Sequence, residues 1–224
     1  MKSILFDLDN TLLDRASSLI GFCHWQATSS LGIDNSEKFV GRFVELDSNG
    51  SVWKDQVYQC LKGEFSIPQS VDELVDEYLN HFRNFCAERP GASDAVRQLA
   101  REGYKIGLVS NGKSPFQEEN LSALGIADFF DSIIVSEAVG CRKPDPSIFE
   151  LACKELAVSP DQCIFIGDNP VADIRSAAKV GMYTVFIPSE LYGDRCAEAD
   201  AVCRSYAELL SIIENAESRS ISQQ

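Results

Sequence analysis

The chain has 224 residues, 45% of them hydrophobic, enough for one good core and a smaller second lobe. Its 20 Lys and Arg against 34 Asp and Glu give a formal charge of −14, which repels a nucleic acid polymer and an anionic membrane surface, while a single nucleotide held through a cation stays open. Eight cysteines without a CxxC pair, no apolar run near the ~18 residues of a membrane span, and an opening Met1-Lys2-Ser3 unlike a signal peptide lead to the expectation of a cytoplasmic protein with reduced thiols.

In chain order, the first predicted strand runs from Ile4 to Leu8 and carries Asp7 and Asp9 at its end. From about residue 15 to 87 helical periods replace strand runs. Ile20, Cys23, Ala27 and Leu31 share one face, as do Phe39, Val40, Phe43 and Val44, and Val71, Leu74, Val75, Tyr78, Phe82 and Phe85. Arg89-Pro90-Gly91 marks the return, so a helical lobe over 15–89 is expected after the first strand. In that lobe Arg42 and Lys54, with Trp53, lie in or beside the turn Asp47-Ser48-Asn49-Gly50 and are candidate contacts to a substrate. The bland alternative is a core tryptophan and two solvated charges. His24 and His81 sit in separate helical segments, and no GxSxG occurs, so a Ser-His-Asp hydrolase has no support.

Beyond residue 90, short apolar runs alternate with helical periods, the pattern of a parallel sheet. Ala92, Val96 and Leu99 predict a helix ending near Gly103, and strands are expected at Ile106 to Val109, Ile133 to Val135, Ile164 to Ile166 and Thr184 to Ile187. Ser114-Pro115, Asp145-Pro146 and Asn169-Pro170 each place a capping side chain before a proline suited to a first helical turn. The last two open helices with faces Phe149, Ala152, Leu156 and Val171, Ile174, Ala178. The predicted class is α/β: a Rossmann-like parallel sheet core over 1–14 and 90–217, a helical cap over 15–89, and a polar, aperiodic tail over 218–224.

Parallel strands bring Asp7, Asp9, Ser110 and Asp168 to one sheet edge, where open α/β sheets bind ligands. With Asp173 added, negative charge crowds: each like pair at ~4 Å and an effective dielectric of ~20 costs about 4 kcal/mol, so protons or a cation must be held there. Hard oxygen ligands favour Mg²⁺. A cation beside a carboxylate, a hydroxyl and a lysine suits phosphoryl transfer, with Asp7 attacking phosphorus and Asp9 moving the proton.

Four segments carry a resemblance: Asp7-Leu8-Asp9-Asn10-Thr11, Val109-Ser110-Asn111-Gly112, Arg142-Lys143-Pro144-Asp145 and Gly167-Asp168-Asn169-Pro170-Val171-Ala172-Asp173. Together, in this order, they resemble the motifs of the haloacid dehalogenase superfamily. The resemblance implies Asp7 as nucleophile, Asp9 as acid and base, Ser110 and the backbone of Asn111 as phosphoryl cradle, and Lys143 as the steadying cation. It implies Mg²⁺ on Asp7, the backbone carbonyl of Asp9 and Asp168, with Asp173 outside or through water, and a supporting hydroxyl from Thr11. An aspartate at position 9 sides with the family's phosphatases over its metal-free dehalogenases, and the expected partner is a small phosphorylated metabolite, a nucleoside monophosphate or sugar phosphate. A phosphosugar mutase of the same superfamily and a receiver-type phosphoacceptor module are the alternatives, separable by whether phosphate is released.

Overall fold

Ser3-Ile4-Leu5-Phe6 form strand β1 (Ser3–Phe6), and every one of the four is buried because the strand has a partner on both sides. Ile4 pairs with Ile106 of β2 (Lys105–Ser110) on one edge and with Ile164 of β4 (Cys163–Gly167) on the other. Such a strand reads as a continuous apolar run rather than an alternation. The sheet has six parallel strands in the order β3-β2-β1-β4-β5-β6, with β3 at Ser132–Val135, β5 at Tyr183–Phe186 and β6 at Ala201–Val202. Successive strands run outward to one side of β1 and then to the other, so the strand order reverses beside β1, where such sheets place their ligand crevice.

The computed structural model describes residues 2–221 and resolves into two units, one holding the described residues up to Leu13 with those from Glu88 onward, the other Asp14–Ala87. The second unit is built from α1 (Arg15–Trp25), α2 (Ser36–Asp47), α3 (Lys54–Phe65) and α4 (Val71–His81). The first unit adds α5 (Ala92–Arg101), α6 (Phe116–Ala123), α7 (Ser136–Val139), α8 (Ser147–Leu156), α9 (Ser176–Lys179) and α10 (Leu209–Ile221). No described helix is long and apolar enough to cross a membrane.

The sheet core joins Leu5, Val109, Ile134 and Phe165 to Ile148, Phe149, Ala152 and Leu156 of α8. Phe149 and Phe165 meet edge to face, their centroids 4.9 Å apart. The helical unit has its own core, in which Phe22 packs edge to face on Tyr78 at 5.2 Å and Phe43 on Tyr58 at 5.3 Å. Arg15, Asp47 and Lys54 are buried in it as one charged group: the Arg15 guanidinium spans both Asp47 oxygens at 2.8 and 3.0 Å, and the Lys54 ammonium closes on Oδ1.

Several expectations shift. Ile20 and Val44 face outward at 41% and 39% exposure, and Leu19 and Phe22 take the inner face of α1. Val171 and Ala178 are likewise exposed, because Pro170–Arg175 winds as a π-type turn, which moves the inward set to Asp173, Ile174, Ser176 and Ala177. Asn169 caps that turn by accepting from the amides of Val171 and Ala172, and Asp145 accepts from Ser147 N, but Ser114 caps no amide of α6: its hydroxyl donates to Glu118. Strand β6, two half-buried residues long, is too short to register as an apolar run. In the expected tail, α10 continues through Ile221, and residues 222–224 lie outside the described residues.

Candidate active site

The chain leaves β1 into a tight turn in which the Leu8 carbonyl accepts from the amides of Thr11, Leu12 and Leu13. Asn10 sits there at φ +59°, a left-handed conformation that asparagine tolerates better than most residues. The turn fixes Asp7 at the strand end and buries Thr11 beneath it, with the Thr11 hydroxyl 3.4 Å from Asp7 Oδ2.

Lys143 reaches this point from the loop before α8. Its ammonium lies 2.6 Å from Asp7 Oδ1 and 2.7 Å from Asp173 Oδ1. Asn111, just past β2, holds that loop: its side-chain amide donates to the Lys143 carbonyl at 2.8 Å and accepts from the Lys143 amide at 2.9 Å. Asp168 and Asp173 follow β4, and Asp173 is drawn back by the Asn169 amide, which donates to its Oδ2 at 3.0 Å. Gly167 makes that approach possible, since a Cβ there would stand 2.5 Å from Asp173 Oδ2 and 2.6 Å from its Cβ and Cγ.

Asp7, Asp168, Asp173 and Lys143 are all buried, so three carboxylates face one ammonium. Burial lifts Asp7 to about 7; Lys143 works against it, while Asp173 and Asp9 add to it. Burial also lifts Asp168 to about 8, with Asp7 and Asp173 contributing. For Lys143 burial disfavours the charge, but Asp173 and Asp7 outweigh it and the ammonium is held above its ordinary value. Asp173 Oδ1 is met by the Lys143 ammonium at 2.7 Å, and Asp168 Oδ2 is a buried oxygen without a hydrogen-bond donor.

The unpartnered Asp168 oxygen suits a cation. One carboxylate oxygen each from Asp7, Asp168 and Asp173 lie within 4.8 Å of one another, and an all-oxygen donor set is what a hard divalent ion takes. The Asp9 side chain stands outside this group: its Oδ2 accepts from Gln117 Nε2 at 3.0 Å. The same amide nitrogen lies 2.8 Å from Ser110 Oγ. Six expected residues, Asp7, Asp9, Thr11, Ser110, Asn111 and Lys143, are thus joined with Asp173 through direct contacts or the shared Gln117, whose amide nitrogen also lies 3.4 Å from the Asn111 carbonyl. Thr11 is fully buried, and its hydroxyl lies toward the Asp7 carboxylate.

Arg42 and Lys54 belong to the helical unit. Lys54 is 1% exposed and closed in by Asp47, which corrects the alternative of a solvated charge and gives it a structural task there. Arg42 bonds Glu64 through Nε and Nη2, and Glu45 at 2.8 Å, on the surface of α2 and α3. The residue missed in the sequence is Gln117; a glutamine in the first turn after the Ser110 segment carries no signal of its own until the fold buries it.

Residues 4–187 match the family described as haloacid dehalogenase-like hydrolase. The chain is 31% identical to a glyceraldehyde 3-phosphate phosphatase of Pyrococcus furiosus, over 96% of this chain and 93% of that protein. It is 32% identical to a protein of the same name from Methanopyrus kandleri, over 87% of each. Among solved structures, a phosphatase of this superfamily from Thermococcus onnurineus superposes with a TM-score of 0.67 at 27% identity, covering 95% of this chain and 98% of the other.

Proposed function

The chain belongs to the haloacid dehalogenase-like hydrolases, and from that premise we propose that it is a Mg²⁺-dependent phosphatase of small phosphorylated metabolites, with sugar phosphates as the favoured class. The observation that carries the reading is the buried group of Asp7, Asp168 and Asp173 around Lys143, with Asp9 two residues beyond Asp7. The substrate class rests on the relatives: beside the glyceraldehyde 3-phosphate phosphatases, a ribulose-1,5-bisphosphate 5-phosphatase of Halopiger xanaduensis is 28% identical over 84% of the chain. Eight free thiols fit a reducing, cytoplasmic setting.

In this reading Asp7, Asp168 and Asp173 would hold the ion, which when bound would supply positive charge against the substrate's phosphoryl oxygens. Lys143 fixes the Asp7 carboxylate through Oδ1 and adds positive charge where the phosphoryl group sits. An Asp7 oxygen attacks phosphorus, the phosphorus–ester oxygen bond breaks, and Asp9 gives that oxygen its proton. Water then attacks the aspartyl phosphate, returning a proton to Asp9 and freeing Asp7 and inorganic phosphate. Ser110 donates its hydroxyl hydrogen to a phosphoryl oxygen.

The test is a panel of phosphorylated metabolites with and without Mg²⁺, scored by free phosphate. Wild type should release phosphate with Mg²⁺ and lose it in a chelator, and Asp7→Asn should be slower by on the order of 10⁴-fold or more. Equal release by both proteins would refute the nucleophile. A phosphoryl group returned to a second hydroxyl without net release would mark a mutase.

A further inference from the structure

The contacts of Gln117 go beyond the roles given above. This residue is 2% exposed, in the first turn of α6, and its single amide nitrogen approaches Ser110 Oγ at 2.8 Å, Asp9 Oδ2 at 3.0 Å and, less closely, the Asn111 carbonyl at 3.4 Å. The amide nitrogen, not its oxygen, faces Asp9 and donates to Oδ2, an oxygen that accepts as long as any carboxyl proton sits on Oδ1. Asn120 Nδ2, 3.4 Å from Gln117 Oε1, agrees with that orientation. The nitrogen carries two hydrogens, and its two nearest acceptors are Ser110 and Asp9.

Two consequences follow from hydrogen-bond chemistry. Ser110, having accepted from Gln117, keeps its own hydrogen free to donate. Asp9, anchored through Oδ2, leaves Oδ1 as the oxygen that can exchange a proton with a leaving group. Gly112 lets the amide in: a Cβ there would stand 2.7 Å from Gln117 Cγ and 2.9 Å from Cδ.

We propose that Gln117 is a positioning residue that sets the Asp9 carboxylate and the Ser110 hydroxyl in one fixed relation by donating a hydrogen bond to each. The proposal rests on the phosphatase reading, because it assigns to Gln117 the orientation of that reading's acid and its phosphoryl donor. A glutamine that merely satisfied itself in the core would affect folding and nothing else.

The test compares kcat/KM of wild type and Gln117→Met on two esters with Mg²⁺: p-nitrophenyl phosphate, whose phenolate leaves without a proton, and an alkyl phosphate that the metabolite panel shows to be hydrolysed. Methionine keeps the length and loses the donor. We expect the alkyl ester to slow by roughly 10- to 100-fold, as for a lost hydrogen bond to a charged group, and the aryl ester at least about tenfold less. Inhibition by inorganic phosphate should weaken several-fold through the loosened Ser110. Gly112→Ala, which crowds Gln117 without deleting it, should show the same skew in smaller measure and carries the test if Gln117→Met does not fold. Equal losses on both esters, or no loss on either, overturn the proposal. Wild type that releases phosphate from no ester refutes the phosphatase reading itself.

Discussion

In the metal-free protein the acidic cluster should make stability fall between pH 5 and pH 8. Asp7 is raised from 3.8 to about 7 and Asp168 from 3.8 to about 8, so the folded state prefers both carboxyls protonated. Their contribution is complete below the unfolded value near 4 and is lost as the pH rises through 7 to 8. A shift of roughly three units for Asp7 corresponds to about 4 kcal/mol at ~1.4 kcal/mol per unit. Because part of the rise at Asp168 comes from the Asp7 charge, the two shifts do not simply add, and the total is on the order of several kcal/mol. Lys143 and Asp47 act outside this window. Lys143 is raised, so its contribution is whole below 10.5 and lost only as the pH passes above that. Asp47 is lowered, by Arg15 and Lys54 against its burial, so its contribution is whole above 3.8 and lost only at more acid pH. Urea unfolding followed by far-UV circular dichroism in a chelator, at pH 5, 6, 7 and 8, measures the decline. Both tryptophans, Trp25 and Trp53, lie in Asp14–Ala87, so their fluorescence separates that unit's unfolding from the rest. Added Mg²⁺ should restore more stability at pH 8 than at pH 5, since its ligands must be ionised. Asp168→Asn should flatten the metal-free decline. A metal-free stability that is constant or rises from pH 5 to 8, or a Mg²⁺ effect equal at both ends, would refute the electrostatic account.

Gly167→Ala should cost ~1–3 kcal/mol by overpacking and should lower phosphatase activity more than it lowers the unfolding midpoint, because the new Cβ would have to displace Asp173 from Lys143; unchanged activity would mean that Asp173 tolerates movement. Asp47→Asn removes the charge shared by Arg15 and Lys54 and should destabilise the helical unit by ~3–5 kcal/mol, read as an earlier tryptophan transition with the late circular dichroism transition retained. Lys143→Met leaves Asp7 and Asp173 without their cation, and in chelator should lower the circular dichroism midpoint at pH 8 and far less at pH 5, where carboxyls accept protons.

Asp7, Ser110, Lys143 and Asp168 were legible in the chain itself, because each follows or precedes an element whose start or stop is locally encoded: an apolar run ends, or a proline after a capping residue opens a helix. A parallel sheet then has few ways to arrange such runs, and their carboxyl ends must share an edge. What lay beyond the sequence depends on contacts between distant segments. Val171 faces out because Pro170–Arg175 is wound as a π-type turn, and Lys54 is buried because Asp47 and Arg15 enclose a charge that hydropathy alone would leave in water. Gln117 is the plainest case: helical periodicity assigns its position to a face, but only folding brings Asp9, 108 residues away in the chain, within reach of its amide. Local patterns determine which residues end each strand; three-dimensional packing decides which of their neighbours hold a hydrogen bond or a buried charge.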